Sequence, residues 1–181
     1  TTVGVVSNNH AVNPSVFKKM PYDGISDLTP ISVIGSSPFV LVVNPKSVPA
    51  KTAKELQAFL KARPGGYNYA SSGQGSSNQF ATEMLKAMSG TYVVHVAYRG
   101  MGPAVTDLAG NQVQLLIGSG PSLMPHVRSG RIRAIGITSA APSPIAPDLT
   151  PMASVIPGYD FELWWGLLAP AGTPPPSWSA G

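Results

Sequence analysis

The chain has no cysteine among its 181 residues, which excludes disulfides, thiolate nucleophiles and Cys-based zinc sites. Charge is scarce as well: Asp, Glu, Lys and Arg make up 11% of the residues, against about 25% in ordinary soluble domains. Long apolar runs are missing. The longest clean one, Phe39 to Val43, falls far short of the ~20 residues that a membrane-spanning helix needs. Intrinsic disorder is a poor fit, because it calls for low hydrophobicity with high charge, and 43% of this chain is hydrophobic. Gly and Pro are abundant, 19 of each, so the sequence is rich in turns and loops. Its length suits one substantial domain or two small lobes.

Acidic residues are the rarer sign, eight against twelve basic ones, for a net charge of +4. The basic residues do not predict a nucleic-acid partner. Lys46, Lys51, Lys54, Lys61 and Arg63 surround one predicted helix, and Arg128, Arg131 and Arg133 sit at the end of another, where cations offset the helix dipole. There is no basic stripe interleaved with aromatics of the kind that tracks a phosphate backbone. No signal peptide is read, since Thr1 leads directly into a predicted strand; this fits a cytoplasmic chain or a mature or truncated exported one.

From Tyr67 to Ser139 one unit repeats: a short β-branched run, a loop of small polar residues, and an amphipathic stretch closed by glycine. Tyr67 to Ala70 leads through Ser71-Ser72-Gly73-Gln74-Gly75-Ser76-Ser77 into a helix whose apolar positions Phe80, Ala81, Met84, Leu85 and Met88 keep helical spacing until Gly90. The strand Tyr92 to Tyr98 is followed by Arg99-Gly100-Met101-Gly102 and a short helix opening at Pro103. Val113 to Ile117 passes through Gly118-Ser119-Gly120 into a helix from Pro121, and a strand from Arg133 to Thr138 completes the series. Strands alternating with helices on short connections predict parallel βα units with right-handed crossovers. Upstream, Thr52-Ala53-Lys54-Glu55 reads as a capping box. Thr2 to Val6, Pro38 to Val43 and Phe161 to Ala169 read as further strands, and Asn8-Asn9-His10 before Pro14 as another loop leading into a helix. The pattern predicts two lobes, one over residues 45–133 and the other, partial, over 1–44 with 134–181, joined by hinge strands near 39–43 and 135–139.

In open α/β sheets ligands bind outside the carboxyl ends of the strands, where loops enter helix N-termini. Four such loops occur here, all built from Ser, Asn, Gly and Gln, and their free amides at positive helix ends predict an anionic guest, a carboxylate above all. Arg99 is the one permanent cation among them; it either pairs with a ligand carboxylate or points to solvent. Signals for enzymes are weak. Gly73-Gln74-Gly75 starts like a dinucleotide fingerprint, but Asn78 stands in place of the third glycine. There is neither a phosphate-binding P-loop nor a Gly-x-Ser-x-Gly elbow. His10, His95 and His126 have no metal-ligand spacing, and His95 and His126 read as structural residues of a strand and a helix. No metal or cofactor is expected.

The ordered series Ser7-Asn8-Asn9-His10-Ala11-Val12-Asn13-Pro14, Pro21-Tyr22-Asp23, Val42-Val43-Asn44-Pro45, Tyr69-Ala70-Ser71-Ser72-Gly73-Gln74-Gly75-Ser76-Ser77-Asn78, His95-Val96-Ala97-Tyr98-Arg99-Gly100 and Leu167-Leu168-Ala169-Pro170-Ala171-Gly172-Thr173-Pro174-Pro175 closely resembles the substrate-binding receptors of tripartite tricarboxylate transporters, the Bug family. The resemblance implies a periplasmic-binding-protein-like α/β fold of Venus-flytrap type, with the second lobe complete and the first incomplete. It implies no catalysis, a small carboxylate ligand (a di- or tricarboxylate or an aromatic acid), a periplasmic location and delivery to inner-membrane permease subunits. Carried over by position, the ligand-binding residues are Ser7, Asn8 and His10, then Ser71, Ser72, Gly75, Ser76, Ser77 and Asn78, extended by Tyr98, Arg99 and Gly100.

Two departures matter. Where the family often has an acidic residue, after the strand Val113 to Ile117, this chain has Gly118, and losing a negative charge from an anion site should favour a second carboxylate. The family's opening βα unit and its helices beyond Thr173-Pro174-Pro175 have no counterpart, so the chain reads as an internal fragment, with exposed sheet edges that predict self-association. The competing readings are a small α/β enzyme acting on an anionic substrate and a truncated assembly piece that no longer binds.

Overall fold

The computed structural model describes residues 2–16 and 19–174. Thr1, and Pro175 at the end of the expected C-terminal motif, lie outside the described residues. The chain divides into two compact units, Thr1–Ser37 with Leu163–Gly181, and Pro38–Glu162. This contact division falls at 37/38 and 162/163, whereas the composition pattern placed the boundaries at 44/45 and 133/134.

The larger unit is built on strands β3 (Asn68–Ser71), β4 (Val94–Ala97) and β5 (Leu115–Ser119), with β3 parallel to both of the others, as the βα repetition predicts. The sheet is mixed, however. Strand β2 (Leu28–Val43) runs antiparallel to β5 and to β6 (Arg133–Ile137), inserting one reversed strand into the series. The run Phe39 to Val43 is buried on both faces, and a continuous apolar run carries no signal of strand direction. The core of this unit gathers Val40, Val42, Ala70, Val105, Leu108, Leu116, Leu123 and Ile137.

Local signals set the helix ends. Helix α2 (Ala53–Ala62) starts at Thr52, whose hydroxyl accepts from the Glu55 amide, while Glu55 reaches back to the Lys51 amide, one residue upstream of its position in a reciprocal capping box. Helix α3 (Ser77–Ser89) is capped by Ser76 and stopped by Gly90 in the left-handed region at φ 63°. Helix α4 (Met101–Ala109) opens two residues before Pro103, and helix α5 (Gly120–Arg128) opens at Gly120, so Gly118 and Ser119 belong to the strand and form no loop.

The smaller unit holds β1 (Gly4–Ser7), α1 (Asn8–Val16), the first part of β2 and most of β7 (Glu162–Pro170). Strand β7 lies between β1 and β2 and is antiparallel to β1, with Ser7 opposite Trp165. Strand β1 passes directly into α1, so Asn8-Asn9-His10 is the first helical turn, not a loop.

Candidate functional site

Three strand ends of the larger unit converge on the expected ligand residues. Strands β3 and β4 continue side by side past their formal ends: the Tyr98 amide donates to Ser71 O at 3.0 Å and the Gly100 amide to Ser72 O at 3.1 Å. Arg99 is thereby fixed between two backbone bonds to the Ser71-Ser72 segment, with its exposed guanidinium free of any ion pair among the described residues. The loop itself is tied from within. Ser72 Oγ donates to Asn78 Oδ1 at 2.6 Å, Asn78 Nδ2 donates to Ile117 O at 2.9 Å, and Ser76 Oγ donates to Gly73 O at 2.7 Å. The Gly75 amide donates to Gln79 Oε1 at 2.8 Å. Gly73 and Gly75 both have positive φ, 138° and 72°, a backbone that side chains with a Cβ rarely adopt.

Several expected contacts are therefore engaged with the protein itself. Ser71 is fully buried, with its hydroxyl against His95 Nε2 at 2.6 Å and Gly73 O at 3.1 Å. Tyr98 gives its hydroxyl to Asp107 Oδ2 at 2.8 Å, and burial, then this bond, push the phenol up to about 12. What the loops leave for a guest is the exposed Arg99 guanidinium beside the N-terminus of α3, where the Gln79 backbone amide is already taken by Ser76 Oγ at 3.4 Å. In the smaller unit, His10 Nε2 bonds Gly24 O at 2.9 Å with its ring stacked on Tyr22, and Asn8 Oδ1 accepts the Trp164 amide at 2.9 Å.

Sequence reasoning set His95 aside as structural, and its surroundings are extensive. Its ring stacks on Tyr69 at 4.8 Å, and Nδ1 lies 3.3 Å from Gln79 Nε2. Tyr69 donates to Glu83, which also binds Lys86 at 2.8 Å. Burial lowers the proton affinity of His95; Glu83 raises it and Lys86 lowers it again, leaving the net below the ordinary 6.5. Burial raises Glu83, but hydrogen bonds from Lys86 and Tyr69 outweigh it and hold the carboxyl below its ordinary 4.5. Both shifts act in one direction. The unfolded chain takes up these protons more readily, so the stabilisation is complete above 6.5 for His95 and above 4.5 for Glu83, and is lost as pH falls through each lower folded value. Thermal denaturation from pH 7 downward should show the melting temperature falling from about pH 6.5, with the first part of the decline absent in His95→Gln.

The position of the family's acidic residue is filled by an apolar group. A Cβ on buried Gly118 would lie 2.6 Å from the Met101 methyl and 3.3 Å from Leu116 and Leu123 side chains. Gly118→Asp must displace Met101 and bury a carboxylate among apolar groups, so it is expected to lower the stability of the larger unit by about 1–3 kcal/mol. Chemical denaturation reads this directly. An unchanged midpoint would mean that Met101 yields without cost.

A hollow of about 590 Å³ in the smaller unit is lined by Pro14, Met20, Tyr22, Asp23, Ile25 and Asp27, and its two carboxylates repel an anion. Among the described residues no group of three His, Asp or Glu could hold a metal ion, and no helix is long and apolar enough to cross a membrane.

The family model of the tripartite tricarboxylate transporter family receptor matches residues 1–177, and the chain belongs to this family of receptors, which are not enzymes. It is 37% identical to Protein BugT of Bordetella pertussis over 91% of this chain and 51% of that protein. Among solved structures it is similar to R. palustris Rpa4515 with adipate, 34% identical with a TM-score of 0.85 over 98% of this chain and 59% of that one. It is also similar to MatC (Rpa3494) from Rhodopseudomonas palustris with bound malate, 28% identical with a TM-score of 0.80 over 96% of this chain and 60% of that one. The fold is of the periplasmic-binding-protein type of these neighbours. The chain spans about half the length of the curated relatives it matches.

Proposed function

We propose that the chain is the carboxylate-binding part of a periplasmic solute receptor that captures a small dicarboxylate for the inner-membrane permease subunits of a tripartite tricarboxylate transporter. The observation that carries this reading is Arg99, an exposed cation bracketed by two backbone bonds to the Ser71-Ser72 segment, next to a loop whose own hydrogen bonds hold its shape before any ligand arrives. Three acidic residues of the larger unit are engaged elsewhere, Glu55 at a cap, Glu83 with Lys86 and Asp107 with Tyr98, and no ion pair among the described residues neutralises Arg99. Ligands bound to two structural neighbours, adipate and malate, are both dicarboxylates and supply the probes.

In this reading Arg99 takes one carboxylate in a bidentate pair. Ser72, Ser76, Ser77 and Asn78 present the first turn of α3, with Gly75 and Gly100 keeping the backbone open to close approach. Ser71 and Tyr98 act from behind the loop. Ser7, Asn8 and His10 are proposed as ligand contacts of the smaller unit. Strands β2 and β7 each pass from one unit to the other, and we assign the hinge role to them in place of the expected pair 39–43 and 135–139, both of which lie within the larger unit. Calorimetric titration with adipate and malate tests the reading. Saturable heat supports it, and a flat titration with both acids favours an assembly piece that does not bind.

A further inference from the structure

Resting on the receptor reading above, we infer that Gln79 and His95 are positioning residues for the ligand loop, and that the protonation state of His95 sets the shape of that loop. The hydrogen-bond pattern fixes every proton in the network. The Gly75 amide can only donate, so the Gln79 atom facing it at 2.8 Å is the carbonyl oxygen, and the atom facing His95 Nδ1 at 3.3 Å is the amide nitrogen. Nδ1 must then accept, which places the single imidazole proton on Nε2, pointing at Ser71 Oγ 2.6 Å away. Ser71 Oγ in turn donates to Gly73 O at 3.1 Å and accepts the Gly73 amide at 3.2 Å. Neutral His95 thus holds the loop at two points, Gly73 through Ser71 and Gly75 through Gln79.

A second proton on His95 has no place in this pattern. It would sit on Nδ1 and face the Gln79 NH₂, donor against donor. The amide escapes this by turning over, which brings its oxygen to Nδ1 and its nitrogen to the Gly75 amide, where the Gly75 bond is lost. Other charged and titratable groups packed around the ring are Tyr69 on β3 and Glu83 and Lys86 on α3. They are bound to one another by hydrogen bond and ion pair, and none touches the Gly75 amide. The coupling therefore runs through Gln79 alone. It makes the loop, with its amides preset for a carboxylate, a property of the neutral histidine.

The test needs no ligand in its first arm. In the full chain, NMR follows the His95 ring protons and the exchange rate of the Gly75 amide, corrected for the intrinsic pH dependence of exchange, as pH is lowered. The expected result is that Gly75 exchange accelerates about tenfold with the same midpoint as the His95 titration. In Gln79→Glu a carboxylate oxygen can face a protonated Nδ1 while the other still accepts from Gly75. The His95 midpoint should then rise by more than one pH unit, and Gly75 should stay protected across it. A Gly75 rate that ignores the wild-type His95 titration overturns the positioning role, whether or not the variant folds. The second arm is adipate titration at pH 7.5, where Gln79→Ala should bind about five- to tenfold more weakly than wild type. No adipate binding by the wild type would overturn the receptor reading alone, because the Gly75 arm stands without ligand.

Discussion

Replacing Arg99 by glutamine is expected to weaken adipate binding about ten- to a hundredfold, the range of a hydrogen-bonded charge pair to a carboxylate. Arg99 brings five donors in a planar fork to one end of the acid, and the loops that follow β3, β4 and β5 contain no lysine and no other arginine. Arg99→Lys should fall between the two, since lysine keeps the charge but loses the fork. The mutation should leave the fold intact, because the guanidinium is exposed and bonds nothing among the described residues. Equal adipate affinity for wild type and Arg99→Gln, measured by calorimetry at the same pH and salt, would mean that the side chain merely points to solvent.

The second large effect is on stability. Asn44 is fully buried at the end of β2, and its amide nitrogen donates to Leu108 O at 2.7 Å and Ala109 O at 3.3 Å. These are carbonyls of the last turn of α4, and Leu108 O also accepts the Asn111 amide at 3.1 Å. The Asn44 Oδ1 accepts the Lys46 amide at 2.8 Å and so also shapes the turn towards α2. Asn44→Ala strips three polar groups of one partner at a buried site and is expected to cost about 3 kcal/mol, lowering the melting temperature by about 10 °C. Asn44→Asp should be worse, because it aims a carboxylate at two carbonyl oxygens at the negative end of a helix. A melting temperature within the error of wild type for Asn44→Ala would show that water replaces all three bonds.

Much of this fold can be read locally. Thr52 as a cap and Gly90 as a helix stop are features whose physics acts within four residues, and each stands where the pattern places it, whereas α3 is capped by Ser76 and opens at Ser77, inside the segment that reads as loop. The first ten residues of β2 escaped notice for an equally physical reason. Leu28 to Ser37 contains Thr29, Pro30, Ser32, Gly35, Ser36 and Ser37 and is half-exposed, so no alternation of apolar residues marks it. It is a strand because β7 pairs with it. The opening of α4 before Pro103 and the direct passage of β1 into α1 are similar cases, in which the polar residues read as loops already lie in the first helical turn.

Of the candidate site, the loop positions were legible and their internal wiring was not. Small polar residues before a helix announce a place for an anion, but that Asn78 spends its amide on Ile117 O and Ser71 its hydroxyl on His95 depends on contacts 39 and 24 residues apart. The same holds for Gly118. Sequence presents it as a missing acid, whereas packing shows that the Met101 methyl occupies the space a side chain would need. The loss of charge at this position comes with a gain of apolar contact, so any preference for the ligand's chain and for its second carboxylate would change together.

The most direct test of the central claim is to follow backbone amide and arginine Nε signals by NMR while adipate is added to the full chain. Saturable shifts are expected at Ser72, at Gly75 to Asn78 and at the Arg99 side chain, all with one dissociation constant. Shifts confined to the Asp23 to Asp27 segment, or no shifts up to millimolar adipate, would contradict it.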